Sequence, residues 1–179
     1  MTATDITAPT GDPWRTPERV ALRRLARDFV AREIATNMDE WEQSGELPRD
    51  LHRKTADVGL LGVGFAEEVG GSGGDAIDSA IITEEILNGG GSTGVCASLF
   101  TQGIALPHIA ANGGPELVER YVRPTLAGEL IGSLAVSEPG GGSDVANIRT
   151  RAVLDGDEYV VNGAKTFITS GVRADFVTA

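Results

Sequence analysis

The apolar positions Leu22, Leu25, Ala26, Phe29, Val30 and Ile34 recur at steps of three and four, which predicts an amphipathic helix. Thr16, Pro17 and Glu18 mark its start: a capping hydroxyl, a proline at the first helical position and an acid near the positive end of the dipole. Arg23, Arg24, Arg27 and Glu33 fall on the expected wet side. A second helix should begin near Pro48, with Leu51, Thr55 and Val58 as its stripe and Gly59 as a left-handed stop. The run EVGGSGGD, Glu68 to Asp75, reads as a flexible loop. Its glycines by themselves do not make a nucleotide site, because no strand of any length precedes them and no GK[ST] follows. Asp75 then caps a helix through Ile77, Ala80, Ile81 and Leu87. Gly94 to Ala111 is apolar on most sides, as in a helix buried between neighbours. Pro115 opens another helix, with Leu117, Val118, Tyr121 and Val122, that Pro124 should end.

Around Leu130 the period changes. Ile131 to Val136, Arg151 to Leu154, Tyr159 to Val161, Thr166 to Thr169 and Phe176 to Thr178 are short and rich in β-branched and aromatic residues. Turn signals at Asp155-Gly156-Asp157 and Asn162-Gly163 divide them. The fold class expected is therefore α+β. An N-terminal tail over residues 1–15 leads into an all-α domain over 16–129, and the beginning of an antiparallel β-domain follows over 130–179. Ala179 falls inside an apolar run with no closing turn, which reads as a truncation.

Composition narrows the function. A net charge of −11 argues against a nucleic-acid backbone or an anionic membrane as the main partner, since both would repel it. Basic residues cluster at Arg15–Arg32 and Arg49–Lys54 but interleave with acids, as on solvated helix faces. A single cysteine, Cys96, excludes an internal disulfide and a cysteine-rich zinc site, and its apolar neighbours predict an inert packed thiol. His52 and His108 lack partner motifs, which favours packing or surface roles over catalysis or a metal site. No apolar run approaches the roughly 18 residues of a membrane span. The opening MTATDITAPTGD has no basic residue, unlike a leader, so a cytoplasmic setting is expected.

Candidate chemistry concentrates in LAVSEPGGGSD, Leu134 to Asp144. An apolar strand runs into a hydroxyl, Ser137, a carboxylate, Glu138, and three glycines, Gly140 to Gly142, that bare the backbone. Taken alone the stretch reads equally as a cofactor loop or a structural turn. Further on, Phe167-Ile168-Thr169 offers an aromatic face and another hydroxyl, which would complete a flat slot of the kind an isoalloxazine occupies. Glu138, among turn residues, suits bonding backbone amides better than proton abstraction, and Asp144 suits a loop or helix-start cap.

The same stretch resembles the first signature of the acyl-CoA dehydrogenases, flavoenzymes that desaturate acyl-CoA thioesters between the α and β carbons. Ala135, Val136, Ser137, Glu138, Gly141 or Gly142, Ser143 and Asp144 carry the match. The resemblance extends over the helical order, the EEVGG loop at Glu67–Gly71, the Glu84–Glu85 pair and DEYVVNGAKTFITSG at Asp157–Gly171. It implies FAD as cofactor, with Leu134, Val136, Ser137, Gly142, Ser143, Phe167, Ile168 and Thr169 as its contacts and Ser143 also at the substrate. It also implies an acyl-CoA substrate, an electron-transferring flavoprotein as acceptor and a homotetramer. The family's glutamate base belongs to a C-terminal helical domain, so no catalytic base is expected in this chain. Three positions depart from the common pattern: Ser137 replaces threonine, while Leu134 and Phe167 stand where an aromatic and a tryptophan are frequent. Flavin potential and acyl preference are the properties these departures put in play. An oxidase or monooxygenase of the same fold, and a non-catalytic helical interaction protein, are the rival readings.

Overall fold

The Thr16 hydroxyl accepts the Arg19 N–H at 3.3 Å and opens α1, Pro17–Phe29. This computed structural model describes residues 11–179, so the expected tail lies outside the described residues up to position 10. The chain leaves α1 through a wide π turn, Val30–Ile34, and a 3₁₀ turn, Ala35–Asn37, into α2, Met38–Ser44. Ala26, Phe29, Val30 and Ile34 are buried as the pattern predicts, while Leu25, at the stripe's margin, stays exposed. Next comes α3, Asp50–Asp57, with Leu51 and Thr55 buried and Gly59 at φ +77° just beyond.

Asp75 and Asp78 form a reciprocal capping box on α4, Ala76–Asn88. The buried face of α4 is Ile81, Ile82, Glu85 and Ile86, not the expected row through Ala80 and Leu87, both of which are exposed. The reason is electrostatic. Glu85 receives Arg23 at 2.6 Å and Arg27 at 2.9 Å, and Arg19 reaches Asp75 and Asp78, so an ion-pair ladder stitches α1 to α4. Hydrogen bonds from Arg27 and Arg23 hold the Glu85 carboxyl below its usual range. Arg23 is thus half-buried against α4, while Arg27 reaches Glu85 from the solvent-exposed side.

The Glu68–Asp75 loop is pinned rather than flexible. Gly71 N–H bonds Ala66 C=O, Ser72 N–H bonds Gly62 C=O, and Gly73 N–H bonds Phe65 C=O, each at 2.9 Å. Gly94–Ala111 forms three pieces, α5 (Thr93–Leu99), α6 (Gln102–Ala105) and α7 (Pro107–Asn112), with a 50° bend after α5. The Thr101 hydroxyl bonds back to Ala97 C=O and Pro107 brings no N–H, so two local breaks interrupt one apolar run. Pro124 does not end its helix either. After α8, Pro115–Leu117, a π turn over Val118–Val122 makes room for the proline ring, and α9, Arg123–Leu126, runs to Gly128 at φ +73°.

Two cores result. The larger gathers Phe29, Ile34, Leu51, Leu60, Ile82 and Leu99. The smaller packs Leu106, Val122 and Leu126 against Phe176, whose ring lies 4.9 Å from that of Tyr121 and so ties the helices to the β segments. Strand β1 is Gly132–Leu134, β2 Arg151–Asp155, β3 Glu158–Asn162 and β4 Phe176–Thr178. The β2–β3 hairpin is antiparallel as expected, whereas β1 and β4 pair in parallel, Ser133 opposite Val177, because the whole hairpin intervenes as a crossover. Thr166–Thr169 is not a strand. It lies along β1 in an irregular path because Phe167 takes φ +55° and breaks the extended run.

Candidate functional site

Beyond β1 the chain is held by its carbonyls. Ala135 N–H still donates to Thr178 at 2.8 Å, Val136 C=O accepts Lys165 Nζ at 3.0 Å, and Ser137 C=O accepts Thr166 N–H at 3.0 Å. The N–H groups of Val136 and Ser137 and the Ser137 hydroxyl find no partner among the described residues. Ser137 is therefore bonded to Thr166, the residue that precedes Phe167.

Glu138 closes the next turn. Its backbone N–H and C=O exchange bonds with Gly141 at 2.9 and 3.0 Å. Its carboxylate accepts the Arg149 and Thr150 N–H groups at 2.8 Å each and Lys165 Nζ at 3.1 Å. The adjacent Thr150 hydroxyl, which lies beside the carboxylate without meeting hydrogen-bond geometry, and then those backbone bonds pull the Glu138 pKa down to about 2. Glu138 is thus an ionised structural hub, with both oxygens engaged. Asp144 opens a 3₁₀ turn, Val145–Asn147, and accepts Asn147 Nδ2 at 2.6 Å. A cleft of about 440 Å³ lies over this loop, walled by Glu138, Gly140, Gly141, Asn147, Arg149 and Thr150.

The Glu138 contacts carry a pH signature. A folded pKa below the usual 4.5 means that their stabilisation is complete above that value and is lost as the pH falls through about 2. In acid titration by NMR, the Arg149 and Thr150 amide resonances are expected to move with a midpoint near 2. Movement centred near 4.5 would show that the carboxylate does not hold them.

Gly140 and Gly141 have open space where a side chain would begin, Gly142 approaches only the Ser137 hydroxyl, and none has positive φ. Nothing inside the protein requires glycine there, so the bare backbone faces outward. Phe167 presents the complementary anomaly: it is left-handed and 95% exposed. Phe167 is thus an aromatic residue held in a strained backbone conformation with almost no packing of its own. Leu134, Val136 and Ile168 are half-buried at this strand exit, and Gly142, Ser143 and Thr169 are exposed around it. The structure thus lays Thr166–Thr169 alongside Ser133–Ser137, with Gly142 next to the Ser137 hydroxyl and Ser143 following in the exposed loop. Lys165, Ser133 and Thr101 escaped the sequence reading. The signal for Lys165 was an isolated lysine in the otherwise uncharged Gly163–Gly171 run.

The other flagged residues lie elsewhere. His52 is buried, its Nε2 sits 3.3 Å from Ser98 C=O, and burial, then Arg173, push its pKa down to about 4, so it packs as a neutral ring. His108 is exposed. Cys96 packs on the larger core, and burial raises its pKa, which suppresses thiolate.

A helical domain joined to β segments, with a bare glycine loop and an outward-facing aromatic following on from β1, defines an α+β protein. The sequence matches the acyl-CoA dehydrogenase N-terminal domain over residues 16–129 and the middle domain over 133–179, and the chain belongs to the acyl-CoA dehydrogenase family. A probable acyl-CoA dehydrogenase from Mycobacterium abscessus superposes with TM-score 0.91 at 75% identity over 93% of this chain and 44% of that one. The long-chain specific mitochondrial acyl-CoA dehydrogenase of Sus scrofa is 39% identical over 89% of this chain and 37% of its own length. A Mycobacterium smegmatis glutaryl-CoA dehydrogenase solved in complex with FADH2 superposes with TM-score 0.85 at 28% identity over 95% of this chain and 44% of that one. The chain thus spans about two fifths of the length of these relatives.

Proposed function

We propose that this chain carries the flavin-facing part of an FAD-dependent acyl-CoA dehydrogenase, with α,β-desaturation of an acyl-CoA thioester as the reaction. The observation that carries the reading is Phe167, strained and bared to solvent beside unpartnered donors. When bound, FAD supplies the hydride acceptor for the β-hydrogen. Phe167 backs the ring, the Val136 and Ser137 N–H groups and the Ser137 hydroxyl bond its edge, and Thr169 adds a further hydroxyl. Leu134 and Ile168 floor the slot. Gly142 and Ser143 admit the diphosphate, and Ser143 also meets the acyl-CoA. Glu138 takes no α-proton, since its oxygens are already bonded; the base is the glutamate that the family resemblance places in a C-terminal helical domain. An electron-transferring flavoprotein as acceptor and a tetrameric assembly belong to the same proposal.

The test is flavin retention. The 179-residue chain is expected to lose FAD on desalting, because the β2–β3 hairpin is exposed along both strands. Extended with the remaining sequence of the Mycobacterium abscessus relative, it should hold FAD near one per chain. A folded extended protein that takes up no FAD would refute the proposal. Stoichiometric FAD in the purified short chain would instead contradict the account of weak retention.

A further inference from the structure

Phe167 and Ser170 are the only non-glycine residues with positive φ among the described residues, at +55° and +61°, and they flank one turn. Local bonds close that turn, Gly171 N–H to Ile168 C=O at 2.9 Å and Arg173 N–H to Ser170 C=O at 3.0 Å. Local bonds alone do not select a left-handed phenylalanine, because an extended path through the same residues relieves the clash of its Cβ. Something else must hold the turn.

Two buried hydroxyls touch it from opposite sides. Ser133, fully buried on β1, donates to Thr169 C=O at 2.6 Å. Thr101, 3% exposed between α5 and α6, gives its one hydrogen to Ala97 C=O at 2.8 Å or Ser98 C=O at 3.1 Å. Its oxygen is left as an acceptor, so Ser170 Oγ donates to it at 3.1 Å. One restraint comes from the β segments and the other from the helical domain.

We infer that Ser133 and Thr101 are positioning residues: together they lock the Phe167–Ser170 turn so that Phe167 is presented at the strand exit. For catalysis this rests on the flavin reading above. A packing role alone would be served by alanine at 133 and valine at 101. The clamp needs the oxygens, and leaving a buried partner unbonded destabilises the geometry it held. It also makes the pose of Phe167 depend on how the helical domain seats against β1.

The clamp is testable without flavin. In the full chain carrying F167W and labelled with 5-fluorotryptophan, the indole at that position gives a ¹⁹F resonance absent from the parent, which has only Trp14 and Trp41. T101V and S133A are expected to shift and broaden that resonance and to speed amide exchange over residues 168–171 roughly five- to tenfold. T101S should restore the parent values. S170A, which removes the same bond from the turn side, should reproduce T101V, and the pair should be no worse than either; it also decides the matter if T101V fails to fold by circular dichroism. Unchanged exchange and resonance in folded T101V or S170A would overturn the inference, as would T101S behaving like T101V. In the extended protein, FAD is expected to move the F167W resonance. Indifference to FAD with the exchange results intact would remove the flavin reading and the catalytic meaning of the clamp, while the restraint on the turn would stand.

Discussion

Gly128→Ala is expected to destabilise the fold by about 3–4 kcal/mol and to lower the melting temperature by about 10 °C. Two independent causes act at this position. The backbone sits at φ +73°, where a Cβ meets the following carbonyl. The same Cβ would fall 2.5 Å from the backbone of His52 and Arg53 in α3, which cannot swing aside as a long side chain would. Gly128 is where α9 turns toward β1, so the strain would be felt at the junction that sets the strand exit. Gly156→Ala separates the two causes: its φ is +66° but nothing lies within 4 Å, so only about 1 kcal/mol should be lost. Thermal melts followed at 222 nm measure both. Equal losses would show that close packing at Gly128 contributes nothing.

Phe167→Gly should do the reverse of an ordinary aromatic deletion. Removing a 95% exposed ring forfeits almost no buried surface, and glycine relieves the left-handed strain, so stability should hold or rise by up to about 1 kcal/mol after the entropy of glycine is subtracted. FAD affinity in the extended protein should fall about tenfold or more, the order of magnitude of a lost aromatic stack. Equilibrium unfolding and FAD titration on the same sample give the two signs. A variant that loses stability and keeps its affinity would mean that Phe167 supports the fold and not the cofactor.

The helical reading was most faithful where a side chain and a backbone cue coincide. Thr16 with Pro17, Asp75 at α4 and Gly59 after α3 all act within a few residues of themselves, so their effect needs no knowledge of the rest of the chain. It failed where a distant partner sets the environment. The expected stripe through Ala80 and Leu87 left Glu85 out, because an acid is expensive to bury alone, but Arg23 and Arg27, more than fifty residues earlier, pair with it and turn its face of α4 inward. Leu87 is left exposed as a consequence. The β-branched run at Thr166–Thr169 looked like a strand for the same kind of reason: propensity is local, whereas Ser133 and Thr101 impose a turn on it from outside.

At the candidate site, composition and order were enough to mark a glycine-rich strand exit and a later aromatic with hydroxyls, because bare backbone and flat faces are properties of residue types. That the two segments would share a slot was expected, but the bonds that join them were not legible, since the Thr166–Ser137 bond and the Lys165–Glu138 pair link positions 27 to 29 residues apart. The role of Glu138 also passed from preference to certainty only once both its oxygens were accounted for. Local patterning settled which segments are helical and where chemistry is concentrated, because short-range sterics and capping act along the chain. Packing alone chose the buried face of α4, the parallel β1–β4 pairing and the outward pose of Phe167, because each depends on which charges and hydroxyls arrive from elsewhere in the fold.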